Sequence, residues 1–112
     1  MKLPNAENAV MAAEKLRDYL LNPAHRRGAS KAKLLMSMGY DSVRWQRLEI
    51  DLREQHLMAD VEEVEENDYG TCYVVVAGLT GPSGGTVVFR SIWQIDAGTD
   101  VPRLITMYPE KR

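Results

Sequence analysis

Apolar residues recur at helical spacing in the first half of the chain and alternate with polar ones in the second. Between Ala12 and Leu21, the residues Leu16, Tyr19 and Leu20 fall at i, i+3 and i+4, the spacing of one buried helix face. Lys15, Arg17 and Asp18 lie between them on the wet side, and Pro23 stops the helix near Leu21. Upstream, Lys2 to Val10 holds Pro4, Asn5 and Asn8, poor helix-interior residues, and reads as an extended lead-in. Ser30 is the expected N-cap of a second helix from Lys31 to about Met38. Leu34, Leu35 and Met38 form its apolar face, and Gly39 suits the left-handed position that follows. Asp41 or Ser42 then caps a third helix through Trp45, Leu48 and Leu52 to about His56. Arg44, Arg47, Glu49, Asp51, Arg53 and Glu54 are expected on its solvated, mixed-sign face.

From residue 57 the period becomes two. Ala59 to Glu66, with Val61 and Val64 among five carboxylates, reads as a charged edge strand. A turn at Asn67-Asp68-Tyr69-Gly70 leads to the clearest strand, Thr71 to Leu79. The glycine-rich loop Gly81 to Gly85 makes a hairpin with Thr86–Ile95. On that partner strand Val87, Phe89, Ser91, Trp93 and Ile95 share the more apolar face and should meet the helices. Arg90 and Gln94 should project from the face the helices leave open. A turn at Ala97 to Asp100 precedes a last strand, Pro102 to Tyr108. Helices first and short, tightly connected strands afterwards indicate α+β: about three N-terminal helices packed on a four-stranded antiparallel β-meander, as one domain spanning 1–112.

Composition adds limits. The hydrophobic share of 45% and charged share of 27% are those of an ordinary globular chain able to bury one core. No apolar run is long enough to span a bilayer and no leader pattern is visible, so no membrane partner is expected. One cysteine, Cys72, rules out an internal disulfide and fits a reducing cytoplasm, the expected location. Cys72 itself reads as a small buried hydrophobe, and Met36 and Met38 as core filler. The net charge of −2 is uneven: residues 1–56 carry ten Lys/Arg against seven Asp/Glu, residues 57–112 four against nine. An acidic total argues mildly against a dedicated nucleic-acid binder, while the cluster Arg26, Arg27, Lys31 and Lys33 keeps a phosphate partner open.

That cluster lies in Asp18 to Lys33, the stretch richest in candidate chemistry. A helix start offers unpaired N–H groups, and the cations beside His25 suit an anion near a proton carrier. The alternative is a capped, solvated helix connection. His56, at the expected end of the third helix, reads as an imidazolium favoured by the dipole there. No phosphate-binding glycine loop, zinc spacing or nucleophile elbow is present, so no cofactor and no metal are expected.

Several stretches resemble a small bacterial family of uncharacterised, toxin-like domains: KLPNAENAV (Lys2 to Val10), EKLRDYLLNPAH (Glu14 to His25), GASKAK (Gly28 to Lys33), DYGTCYVVV (Asp68 to Val76) and VPRLITMYP (Val101 to Pro109). The layout is also similar, at the level of fold, to the barnase/RelE-type ribonuclease superfamily. Its members cut RNA without metal through scattered His, Lys, Arg, Thr or Tyr residues, and many are toxins neutralised by a partner protein. The resemblance implies a metal-independent ribonuclease toxin with an RNA substrate and a neutralising antitoxin protein. On the matched stretches it implicates Lys15, His25, Lys31, Arg103, Thr106 and Tyr108.

His25 would be the general base or acid, with Lys31 and Arg90 (the latter from strand parity) stabilising charge on the phosphoryl oxygens. Thr106 or Tyr108 would orient the hydroxyl or serve as secondary donors. Arg26, Arg27, Lys33, Lys15 and Arg103 would hold RNA phosphates. Each has a structural alternative: His25 bonded to the end of the first helix, Lys31 exposed in a first turn, Arg90 paired with Glu63 or Glu65. Trp93 and Tyr73 are expected in the core. The competing function is a non-catalytic interaction module that docks a basic partner through the acidic strand Asp60 to Asp68.

Overall fold

After Asp60 the chain is rich in β-branched and aromatic residues, and in the computed structural model, which describes residues 1–111, it forms four strands. These are β1 (Val61–Asn67), β2 (Gly70–Thr80), β3 (Thr86–Asp96) and β4 (Arg103–Pro109), an antiparallel sheet in the order β1-β2-β3-β4. The long β2–β3 register sets Tyr73 opposite Trp93, Val75 opposite Ser91 and Ala77 opposite Phe89. This row faces the helices: Val75, Phe89, Ser91 and Trp93 are fully buried. The other row carries Arg90 and Gln94, as parity predicts. Gln94 is covered there by Asn67 of β1, whose amide donates to it at 3.1 Å.

The helical layer has three parts. Helix α1 (Ala13–Lys15) runs into a π turn, Leu16–Leu20, closed by the Leu21 N–H on the Leu16 carbonyl at 2.9 Å. Helix α2 is Ala29–Ser37. Helix α3 (Gln46–Asp51) also widens into a π turn, Leu52–His56, closed by the Leu57 N–H on the Leu52 carbonyl at 2.9 Å. Leu16, Leu20, Leu35, Leu48 and Leu52 are fully buried against the sheet. Each such side chain contributes on the order of 1.5–3 kcal/mol by leaving water. The fold is thus α+β, with N-terminal helices on a four-stranded antiparallel meander. Among the described residues no helix is long and apolar enough to cross a membrane.

Several local expectations are corrected. The lead-in is not simply extended: Asn5 is left-handed (φ 56°) and opens a 3-10 turn, Ala6–Asn8. The chain then lays Val10 beside β4, with Val10 N–H on the Pro102 carbonyl at 2.8 Å and Leu104 N–H on the Val10 carbonyl at 2.9 Å. Ser30 does not cap the second helix, because that helix begins earlier, with Gly28 at its N-cap. Asp41 does accept the Arg44 N–H at 2.8 Å, but the regular helix starts only at Gln46. Met38 is buried core, whereas Met36 is exposed. Cys72 is half-buried, and burial with the charges of Glu65 and Glu63 pushes its thiol up.

His56 needs the largest revision. It ends the third helical segment, yet its ring is fully buried, with Nε2 2.6 Å from Ser91 Oγ. Burial drives its pKa down to about 4, against backbone hydrogen bonds to Ala77 and Val75, so the ring is neutral rather than an imidazolium at a helix end.

Candidate functional site

Three separate stretches supply one cleft of about 600 Å³: Glu14, Lys15 and Tyr19 from the first helical segment, His25, Arg27 and Lys31 from the turn into α2, and Ile105, Thr106 and Tyr108 from β4. Local devices bring them together. In β4, Leu104 pairs with Trp93 and Thr106 with Ile92, so Ile105 is an extra residue in the ladder. Such a bulge reverses the facing of everything beyond it. Leu104 points into the core, and without the bulge Thr106 would as well. With it, Met107 takes the core position, while Thr106 and Tyr108 register opposite Ile92 and Arg90 on the other face.

The opposite wall depends on Gly28. A Cβ there would lie 2.3 Å from the Tyr19 carbonyl oxygen, so only glycine lets α2 begin this close to the first helical segment. One turn further on, Lys31 Nζ donates to Tyr19 Oη and, at 3.0 Å, to Thr106 Oγ1; Tyr19 Oη and Thr106 Oγ1 are themselves 3.0 Å apart. Lys31 Nζ lies 4.9 Å from the Tyr19 ring centre and 6.0 Å from that of Tyr108. Lys15 Nζ lies 5.4 Å from the Tyr19 ring centre. Burial raises the Tyr19 phenol. Hydrogen bonds from Lys31 and Thr106 and the charges of Lys31 and Lys15 outweigh it, and the net shift is downward.

His25 packs edge-on against Tyr19, ring centres 4.9 Å apart. Its ring does not bond to the end of the first helix; only its backbone N–H reaches back, to the Asn22 carbonyl at 3.0 Å. Its Nδ1 accepts the N–H groups of Arg27 (3.0 Å) and Gly28 (3.2 Å), which lie just ahead of the second helix, so the turn itself fixes the ring. With Nδ1 held as an acceptor, the neutral ring carries its proton on Nε2. Toward a ligand His25 is therefore an N–H donor and has no lone pair to offer as a base.

Not every candidate converges. His25, Lys31, Thr106, Tyr108, Lys15 and Arg27 line the cleft; Arg26, Lys33, Arg90 and Arg103 do not. Arg103 is fixed by Asp96 at 2.8 Å. Arg90 meets Glu110 at 3.0 Å, Glu63 at 3.5 Å and Glu62 at 3.8 Å, so its charge is taken up by carboxylates from β1 and the chain end. Among the described residues Lys15, Arg27 and Lys31 have no such ion pair. Three cations without carboxylate partners, several hydroxyls and an N–H donor on one concave surface suit an anion with several oxygens. Tyr19 is the site residue the sequence reading did not name. Its spacing with Leu16 and Leu20 matches a core face, and its polar tip was the available signal. Among the described residues no three of His, Cys, Asp or Glu are placed to share a metal ion.

The chain is similar in structure to a chain of a contact-dependent growth inhibition toxin–immunity protein complex from Klebsiella pneumoniae 342. The TM-score is 0.71 at 19% sequence identity, covering 91% of this chain and all of the other. No curated protein matches it in sequence. A family model matches residues 2–111, and the chain belongs to that family, described as a domain of unknown function (DUF6883).

Proposed function

We propose that this cleft cleaves RNA without a metal ion, and that the protein is a toxin of a bacterial conflict system held in check by a partner protein. The observation that carries the reading is the gathering of Lys15, Arg27, Lys31, Thr106, Tyr108 and the Nε2–H of His25 into one site. Attack of a 2′-hydroxyl on the adjacent phosphate builds negative charge on the phosphoryl oxygens, and fixed cationic and N–H donors lower the energy of that state. Lys31 and His25 supply them at the centre, with Arg27 holding a flanking phosphate. One further point supports the reading: the fold is like that of a chain in a toxin–immunity complex.

Induced expression in bacteria, combined with incubation of the purified chain with RNA in chelator, tests it. The expected result is growth arrest and cleaved RNA for the wild type, both abolished by His25→Ala with Lys31→Ala. A harmless wild type that leaves RNA intact would overturn the proposal. It would return the protein to an interaction module whose exposed acidic strand β1 engages a basic partner.

A further inference from the structure

Building on that cleavage reading, we infer that Tyr19 accepts the proton of the attacking 2′-hydroxyl and that Lys15 donates a proton to the departing 5′-oxygen. The contact triangle at Tyr19 carries the first half. A lysine ammonium has donors only, so both Nζ contacts are donations, one into Tyr19 Oη and one into Thr106 Oγ1. Thr106, already accepting from Lys31, is left to give its own hydrogen to Tyr19 Oη. The phenolic oxygen thus receives two donors, and its own hydrogen is directed away from both. This environment favours the phenolate, the form that takes a proton.

The other groups of the cleft do not supply that function. His25 presents an N–H, and Thr106 and Tyr108 are unactivated hydroxyls. Glu14 is the one carboxylate lining the cleft; it is exposed on the first helical segment beside Lys15. The charged and titratable groups facing Tyr19 are then Lys15 and Glu14 from its own segment, Lys31 from α2, His25 and Arg27 from the connecting turn and Tyr108 from β4. Of the two cleft cations not hydrogen-bonded to Tyr19 or Thr106, Lys15 and Arg27, a guanidinium does not give up its proton, which leaves Lys15 as the acid.

The step balances within these groups. The Tyr19 phenolate takes the 2′-hydroxyl proton, and the freed O2′ pair forms the bond to phosphorus. The P–O5′ bond breaks with its pair on O5′, which takes a proton from the Lys15 ammonium. The products are a 2′,3′-cyclic phosphate and a 5′-hydroxyl. The Tyr19 proton returns through water to the Lys15 amine. DNA lacks the nucleophile and is not cut.

The pH–rate profile of an RNA oligonucleotide, compared among wild type, Tyr19→Phe, Lys31→Met and His25→Ala, tests this. Tyr19→Phe keeps the ring that packs on His25 and should lose at least about a hundredfold in rate, together with the profile's ascending limb. Lys31→Met removes a donor to Oη and should move that limb to higher pH. His25→Ala should lower the rate and leave the limb in place. An ultraviolet titration of wild type against Tyr19→Phe, independent of turnover, should show one tyrosinate forming below the ordinary phenol range. A Tyr19→Phe enzyme cleaving like wild type, or an ascending limb lost in His25→Ala, would overturn the assignment while leaving RNA cleavage standing. A wild type that cuts no RNA overturns the cleavage reading itself.

Discussion

The protein has two histidines, and they show what a fold does with the same side chain in two places. His56 is enclosed between its helix and the sheet, and its Nε2 meets Ser91 Oγ at 2.6 Å. The same oxygen takes the Trp93 indole N–H at 2.8 Å. Its Nε2 serves the buried Ser91 hydroxyl, while its Nδ1 is sealed inside the protein with no hydrogen-bond partner among the described residues and no path to a ligand. His25 is half-buried; backbone N–H groups hold one ring nitrogen, and the other remains for a ligand. The surroundings follow the same contrast: Val75, Ala77 and the Ser91–Trp93 pair of the sheet around one, Lys15, Lys31 and Tyr19 around the other. A polar residue thus signals function less by its identity than by how much of its bonding capacity the fold leaves open to a ligand.

The contrast is broken most severely by Lys31→Ala. If the cleft acts on a phosphodiester, removing this donor should lower RNA cleavage by on the order of 10³-fold. Unfolding free energy should change by less than about 1 kcal/mol, since the side chain is half-buried rather than core. Rate and denaturant midpoint measured on one preparation check both halves.

Acid tests the other histidine. The ring titrates near 6.5 in the unfolded chain and at about 4 in the folded one, so between those values the unfolded state binds the extra proton. Stability is therefore fully present above the unfolded value and falls as pH drops toward the folded one. The loss reaches about 3 kcal/mol at roughly 1.4 kcal/mol per unit. Burial sets the direction and most of the size. Urea unfolding across this range should show the slope, and His56→Gln should flatten it. An equal slope in the variant would assign it to carboxylates such as Asp41 and Asp96, whose pKa values are held down by Arg44 and Arg103.

What the sequence revealed divides along similar lines. Strand alternation, turn residues and the inward row of Phe89, Ser91 and Trp93 are local patterns, and they led to the right fold class and the right face for Arg90. The bulge at Ile105 left no mark, since Leu104-Ile105-Thr106-Met107 reads as an unbroken strand; yet it decides where Thr106 points. The π turns likewise require no special residue. His56 looked like a helix end because its partner, Ser91, lies 35 positions away on a strand. Tyr19 was taken for core because its ring does pack there; only the positions of Lys31 and Thr106 reveal the hydroxyl's surroundings.

Gly28→Ala sharpens the comparison from the backbone side. The added methyl would meet the Tyr19 carbonyl oxygen at 2.3 Å, so α2 must move away and carry Lys31 and the N–H groups that hold His25 with it. A shift of about an ångström in reacting groups costs on the order of a hundredfold in rate. Overpacking adds about 1–3 kcal/mol of destabilisation. The hydrogen-bond partners of His56 are Ser91, Ala77 and Val75 on the sheet, outside this turn, so the acid slope of the variant should match that of wild type.

The smallest effect on cleavage is expected from Arg90→Ala, and it tests the idea of capacity left open to a ligand on a cation. Arg90 registers opposite Tyr108, one strand in from the cleft, and strand parity alone made it a candidate for phosphate stabilisation. Glu62, Glu63 and Glu110 lie within 4 Å of its guanidinium and neutralise it in place. A charge so matched exerts little field on a phosphate beside β4, whereas Lys31 faces no carboxylate at ion-pair distance among the described residues. RNA cleavage by Arg90→Ala should therefore stay within about twofold of wild type, as for sites that do not couple. Its stability should fall by about 1–3 kcal/mol, because its nearest partner, Glu110 at 3.0 Å, has only 9% of its side chain exposed and is left without its cation. A tenfold or greater loss of cleavage would mean that Arg90 leaves its carboxylates when RNA binds, and the separation of quenched from available cations would then have to be redrawn.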